Sequence, residues 1–364
     1  MIIGLPKEIK PDEYRVAMLP SSVSELTRRG HTVLVQKGAG IGSGYSDHAY
    51  IQAGAKMTEA LEKIYEGADL IVKVKEPQEC EFPLLRPQQI LFTYLHLAAD
   101  LALTKALIKS KVSAVAYETL TVNGHLPLLE PMSEIAGRMS IVVGGYFLAK
   151  HQGGNGILLG GVPGVLPGRV VILGGGTAGM NAARMATGLG ADVTVLEVDR
   201  DRMRFLDITL NEAHTLYSSE DHLMDLLPRV DVLVGAVLIP GAKAPKLIRR
   251  NMLKRMRPGS VLVDIAIDQG GCAETSKATT HHDPVYEEEG VVHYCVANMP
   301  GAYARTASQA LSSLTVPYIQ AMADHGLEGA CNLHQGLRSG INVQHGDIIC
   351  KAVGEAHQMC WKAS

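Results

Sequence analysis

The sequence predicts an α/β protein of two parallel-sheet domains, and three observations carry that prediction. Short apolar runs alternate with helical patterns over the first 125 residues. The same rhythm resumes near residue 170 behind a glycine signature. The composition, with 38 glycines against 4 Phe and 1 Trp, suits many short turns around aliphatic sheets. Repeated strand–helix–strand order implies parallel strands joined by crossover helices. At 364 residues the chain is long enough for two cores, since domains cluster near ~100–200 residues.

In the first part, Ser22-Val-Ser-Glu25 reads as a capping-box start for a helix ending near Gly30. Strands are expected at His31–Gln36, Asp69–Lys75, Gln89–Leu95 and Ser113–Thr119, with helices over Ala60–Gly67 and Asp100–Ser110. A long helical segment follows, Met132 to Gln152, and then a glycine-rich loop. Later strands are expected at Asp231–Val237, Ser260–Ile267 and Gly290–Val296, and a helix from Thr306 to Ala323. The final 40 residues show only a weak helical pattern.

The glycine signature lies in RVVILGGGTAGMNAARMATGLGADVTVLEVD. The apolar run Val170 to Leu173 ends at Gly174, Gly176 and Gly179 in G-x-G-x-x-G spacing; a helical pattern follows, then a second run closed by Glu197. The first glycine allows a tight turn, the second lets backbone approach a pyrophosphate, and the third lets helix pack on strand. The helix N-terminus then offers free N–H groups and a positive dipole end to phosphates. An acid at the end of the second strand accepts ribose hydroxyls and repels a 2′-phosphate, so Glu197 points to NAD rather than NADP. A dinucleotide unit in the middle leaves the two ends of the chain to form the other domain. The expected division is 1–130 plus 305–364 for the substrate domain and 131–304 for the nucleotide domain. A cleft between them and long connecting helices near 130–150 and 305–323 complete the expectation.

The net charge of −3 argues against a nucleic-acid partner. No apolar run approaches the ~20 residues that span a bilayer, and Met1-Ile2-Ile3-Gly4 enters a strand-like segment without a signal pattern. Six cysteines without C-x-x-C spacing read as reduced thiols of a cytoplasmic protein. Metal-ligand spacing is absent; His281-His282 beside Asp283 reads as a surface loop.

Ligands in parallel sheets bind beyond the C-terminal ends of strands, which selects five polar groups. Lys75 closes Asp69–Lys75 before Glu76-Pro77, and His96 closes Gln89–Leu95, where an imidazole suits general acid–base work. Arg15 offers a guanidinium fork for a carboxylate, with an ion pair to Glu13 or Asp12 as the plainer alternative. Asp268 ends the run VLVDIAID, and Asn298 with Met299 follows the next strand.

Assembled, these segments resemble the NAD-dependent L-alanine dehydrogenases, within the alanine dehydrogenase and transhydrogenase catalytic-subunit family, over essentially the whole chain. The resemblance rests on Gly4-Leu-Pro-Lys-Glu8 with Arg15-Val-Ala17, Lys73-Val-Lys75-Glu-Pro77, Tyr94-Leu-His96, Pro131 to Arg138, Gly176-Thr-Ala-Gly179, Val263 to Gly271, Val296 to Ala302 and Arg305-Thr306. It implies two Rossmann-like domains and reversible oxidative deamination of L-alanine to pyruvate and ammonium. Arg15 and Lys75 would bind substrate, His96 would move protons and Asp268 would assist. NAD would be lined by Ser133, Gly174, Gly176, Thr177, Ala178, Gly179, Glu197, Arg202, Val237, Leu238, Ile239, Ile267, Asp268, Asn298 and Met299. A homohexamer is also implied, with the apolar helical surface Ile135 to Leu148 as circumstantial support. Two positions depart from the usual pattern: Gly-Gly-Gly stands where Gly-Ala-Gly is usual, and Glu197 replaces the more frequent Asp. A hydride-exchanging module of a larger assembly, a saccharopine- or opine-type dehydrogenase and a non-catalytic NAD sensor remain as alternatives.

Overall fold

The computed structural model describes residues 1–237 and 244–362. It divides into two compact units, Met1–Met132 with Gly301–Ser364, and Ser133–Pro300.

The first unit is built on a sheet whose parallel part is β1 (Ile2–Leu5), β2 (Thr32–Gln36), β3 (Lys56–Thr58), β4 (Leu70–Val72), β5 (Ile90–Thr93) and β6 (Ser113–Ala116). The second unit holds β7 (Arg169–Leu173), β8 (Asp192–Glu197), β9 (Ala213–Tyr217), β10 (Val232–Gly235), β11 (Val261–Asp264), β12 (Val285–Glu288) and β13 (Val291–Tyr294). The chain then returns to the first sheet with β14 (Ile341–Gln344) and β15 (Asp347–Ile348). The orders are β15-β14-β6-β5-β4-β1-β2-β3 and β12-β13-β11-β10-β7-β8-β9. Both sheets are parallel except at one edge, where β14 and β15 in the first and β12 in the second run antiparallel to their neighbours. Those edge strands and the short β3 and β9 carry no long apolar run, which is why the sequence pattern passes over them.

The central strands β4, β5, β6, β10, β11 and β13 are buried at every position. Continuous aliphatic burial is what helices on both faces of a parallel sheet require. The helix Thr177–Gly188 buries Ala182, Ala183 and Ala186, small residues that let it lie close to the strands. Of the helix Glu130–Phe147, Ala136, Met139, Ile141 and Phe147 are buried, and only Val142 and Tyr146 stay exposed among its large apolar groups. The apolar surface expected over Ile135 to Leu148 is therefore mostly internal core.

Several boundaries differ from the sequence expectation. The first helix spans Pro20–Arg28 with Pro20 in its first turn; Ser22 makes no cap and instead bonds Ser312 at 2.8 Å inside the unit. A proline's fixed φ starts a helix by itself, so the capping-box reading gives way. The last long helix runs Ala304–Leu333, broken at Gly326, where φ is 69°. Among the described residues no helix is long and apolar enough to cross a membrane.

Candidate active site

In the first unit the polar groups gather beyond the C-terminal ends of β1, β4 and β5, three neighbours in the sheet. Arg15 is 2% exposed and its ion pair with Glu13 is buried, not the surface contact that a polar loop suggests. Glu13 accepts from Nε at 2.7 Å, Nη2 at 2.6 Å and the Arg15 backbone N–H at 3.0 Å. Burial alone would raise the Glu13 carboxyl, but the guanidinium of Arg15, helped by the Lys75 ammonium, holds it below its ordinary value. Such a fork pre-sets the guanidinium plane.

Beneath Lys75 lies a second buried set. Lys73, fully buried, pairs with Glu81 at 3.0 Å and Glu8 at 3.4 Å, and Tyr65 donates to Glu81 at 2.9 Å. Glu8 also accepts the backbone N–H of Val74 at 2.6 Å and of Lys75 at 3.4 Å. Burial raises the Glu8 carboxyl, with Lys73 only partly offsetting it. Strand β4 itself ends at Val72, three residues before Lys75, while single backbone bonds to β5 continue to Val74.

His96 lies three residues beyond β5, exposed and in the left-handed region with φ 50° and ψ 39°. Its ring stacks on Tyr94, centroids 6.0 Å apart. Tyr94 is buried and donates to the Leu128 carbonyl; burial pushes its phenol far above the ordinary range. The carboxylate of Glu118, just after β6, accepts the N–H of His96 at 2.6 Å and of Leu95 at 3.2 Å. Glu118 escaped the sequence reading, although the strand-end rule that selected His96 applies equally to it.

In the second unit the glycine turn joins β7 to the helix Thr177–Gly188, and each glycine has its own steric reason. Gly174 has φ 93°, and a β-carbon there would stand 2.8 Å from the Ala236 carbonyl oxygen. At Gly179 a β-carbon would lie 1.8 Å from the Gly174 carbonyl oxygen. At Gly176 it would meet nothing within 4 Å, and Gly176 supplies no side-chain cap to the helix behind it. Bare backbone facing open space at an uncapped helix start, with Thr177 and Ala178 in its first turn, fits a dinucleotide pyrophosphate. Gly137 on the helix Glu130–Phe147 tightens the same end, since a β-carbon there would come 2.1 Å from the Ala178 carbonyl oxygen. Ser133 stands one turn earlier on that helix.

Glu197 ends β8, and its carboxylate reaches back over the turn. It accepts the Gly175 N–H at 2.7 Å, Val198 N–H at 2.7 Å and Asp199 N–H at 3.0 Å. A β-carbon at Gly175 would meet Glu197 Oε2 at 3.1 Å and the Leu206 side chain at 2.5 Å. The missing β-carbon at Gly175 thus leaves room for both the Leu206 side chain and the Glu197 carboxylate. Arg202 donates from Nε to the Gly175 carbonyl at 2.6 Å and lies 4.8 Å over the Phe205 ring. Val237 follows β10 beside Gly174. Leu238 and Ile239 lie outside the described residues.

Strand β11 ends at Asp264, not at Asp268. Asp264 is fully buried and accepts from the Cys272 N–H at 2.8 Å, the Ala266 N–H at 3.1 Å and the Ser276 hydroxyl at 2.5 Å. It thereby stops the strand and opens the short 3-10 turn Ile265–Gln269, on which Ile267 is buried and Asp268 exposed. After β13, Asn298 takes a left-handed φ of 60° and Met299 is 3% exposed in the core. Among the described residues no group of three or more His, Cys, Asp or Glu could hold a metal ion.

Two family models match, alanine dehydrogenase/PNT N-terminal domain over residues 4–136 and alanine dehydrogenase/PNT C-terminal domain over residues 140–351. The chain is 54% identical to an alanine dehydrogenase of Halomonas elongata over 358 residues, 98% of this chain and 96% of that one. A solved L-alanine dehydrogenase superposes with a TM-score of 0.94 at 47% identity, over 98% of this chain and 99% of that chain. A transhydrogenase from Sinorhizobium meliloti gives 0.83 at 25% identity, over 96% and 100%. The chain therefore belongs to the alanine dehydrogenase/PNT family.

Proposed function

We propose that this protein is an NAD-dependent alanine dehydrogenase. It interconverts L-alanine, NAD+ and water with pyruvate, ammonium, NADH and a proton. The observation that most supports this reading is the set Arg15, Lys75 and His96 beyond three adjacent strands, with the Arg15 guanidinium on buried Glu13 and the Lys75 backbone held by Glu8.

Arg15 holds the substrate carboxylate, and its fork to Glu13 fixes the guanidinium in one plane. Lys75 offers a point charge to the carbonyl oxygen that develops as the iminium is hydrolysed. His96 takes the proton from the attacking water and returns it in the amination direction, and Asp268 is assigned to assist proton transfer. NAD, when bound, would supply the hydride acceptor for the alanine Cα–H. Gly174, Gly176 and Gly179 with Thr177 and Ala178 would hold its pyrophosphate, and Glu197 and Arg202 its adenosine end. Val237, Ile267, Asn298, Met299 and Ser133 would line the remainder. Glu197 already accepts backbone N–H groups, so ribose hydroxyls join a carboxylate that is fixed in place, and a 2′-phosphate meets its negative charge.

We place the enzyme in the cytoplasm as a homohexamer. Leu158, Val162, Val165 and Leu166, at 68%, 55%, 61% and 82% exposed, are apolar surface that supports assembly. The test of function is absorbance at 340 nm with pyruvate, ammonium and NADH, against NADPH, 2-oxoglutarate and 2-oxobutyrate in parallel. NADH loss that needs both pyruvate and ammonium is the expected result. NADH binding without such oxidation contradicts the reading.

A further inference from the structure

The turn that carries His96 is irregular and is held from two sides. A side chain in the left-handed region is strained and persists where surrounding contacts impose it. On the N-terminal side the Glu118 carboxylate takes the two N–H groups of Leu95 and His96. On the other side the Leu97 carbonyl accepts three donors: Asp100 N–H at 3.0 Å, the Thr104 hydroxyl at 3.2 Å and His357 Nε2 at 2.7 Å. A carbonyl only accepts, so His357 carries its hydrogen on Nε2.

His357 arrives from 260 residues away in sequence. It ends the helix Lys351–His357, which packs on the turn Leu97–Ala99. The chain end ties that helix to the sheet edge. The Lys362 N–H donates to the Ile348 carbonyl at 2.8 Å, Lys362 Nζ reaches Asp347 at 2.6 Å, and a β-carbon on Gly354 would come 2.9 Å from the Trp361 ring. Edge strand β15, the helix and the last residues thus form one bracket; Ile348 and Val353 share an apolar cluster with Leu97, and His357 adds a side-chain hydrogen bond to the Leu97 carbonyl.

We propose that His357 is a positioning residue for the proton-transfer step: it fixes the Leu97 carbonyl and so, with Glu118 opposite, the left-handed conformation that presents His96. This assigns the C-terminal segment a task in turnover. It rests on the reading of His96 as the acid–base residue, and the experiment separates the two.

Full-length His357→Ala, His357→Asn and His357→Gln are compared with His96→Ala. The readouts are pyruvate amination, NADH binding by fluorescence and the melting temperature. The glutamine amide reaches as far as imidazole Nε2, whereas the asparagine amide overlays only Nδ1. His357→Ala and His357→Asn should lower kcat about 10- to 100-fold, the scale of a small misplacement of a reacting group. Their KM for pyruvate and Kd for NADH should stay within about twofold of wild type, and His357→Gln should recover most of the rate. Wild-type kcat in both His357→Ala and His357→Asn overturns the proposal. So does a kcat loss that glutamine does not rescue, or one matched by lost NADH affinity or a lowered melting temperature in both. If His96→Ala keeps its rate, the reading of His96 falls whatever the His357 variants do.

Discussion

In the first unit the strand ends carry charges set against buried counter-charges: Arg15 on Glu13, and Lys73 between Glu8 and Glu81. In the second unit the end of β7 carries bare backbone, and the decisive feature at Gly174, Gly176 and Gly179 is the missing β-carbon. A substrate of one small carboxylate needs strong, oriented charge, which a protein supplies only from side chains held in place by partners. A dinucleotide needs a long close approach, which side chains would obstruct. The first site should therefore break through electrostatics and the second through sterics, and mutations can separate the two.

The largest effect is expected at Glu13. Glu13→Gln leaves the Arg15 guanidinium buried without its counter-charge, and breaking a buried pair this way costs about 3–5 kcal/mol. Thermal and urea unfolding of the variant should show the loss at neutral pH. The pH dependence has a definite sign. Glu13 is depressed below its ordinary 4.5, so its stabilisation is full above that pH and is lost as pH falls through the depressed value. Glu8 is raised above the same 4.5, so its stabilisation is full below that pH and is lost as pH rises through the raised value. Glu13→Gln should remove the first slope and Glu8→Gln the second. Identical pH profiles for the two variants would contradict the electrostatic account of this unit.

Next comes a pair of glycine substitutions. Gly179→Ala puts a β-carbon against the Gly174 carbonyl oxygen and should cost about 1–3 kcal/mol of stability along with NADH affinity. Gly176→Ala meets no protein atom within 4 Å. It should leave the melting temperature within a degree or two, about 0.5 kcal/mol, while raising the NADH Kd at least about tenfold, or 1.4 kcal/mol. Equal affinity losses with equal destabilisation would mean that the open space at Gly176 is not where the cofactor lies.

The smallest effect concerns the turn's own departures. Gly175→Ala should weaken NADH binding in the wild-type background, and adding Glu197→Asp should restore part of it, a coupling of about 1 kcal/mol. Additive effects would show that the long acid and the extra glycine are unrelated.

The second unit was more legible in the sequence than the first because its signal is local. An apolar run, three glycines, a helix and an acid all fall within 30 residues, and the strand, turn and helix stand in the structure where that spacing puts them, with Gly174 at a positive φ and Gly179 against the Gly174 carbonyl. The strand-end rule selected Arg15, Lys75 and His96, which in the structure lie beyond the ends of β1, β4 and β5. It failed on the exact stop of β11, since Asp264 interrupts VLVDIAID as a buried polar group whose partners, Cys272 and Ser276, lie further along the chain. The counter-charges of the first unit were hidden for the same reason. Nothing in the local pattern tells that Lys73 and Glu81 are buried together, that Glu118 clamps the His96 backbone or that His357 reaches Leu97. The last 40 residues looked weakly helical because two short edge strands and a seven-residue helix carry little periodicity.

The central claim is that chemistry resides on the charged strand ends of the first unit while the cofactor is held by the backbone of the second. Its most direct test is His96→Ala, assayed for pyruvate- and ammonium-dependent NADH oxidation at 340 nm with the NADH Kd measured on the same preparation. The account predicts turnover reduced by about 10²- to 10⁴-fold with the Kd unchanged. Near-normal turnover, or a loss that follows weakened NADH binding, would contradict it.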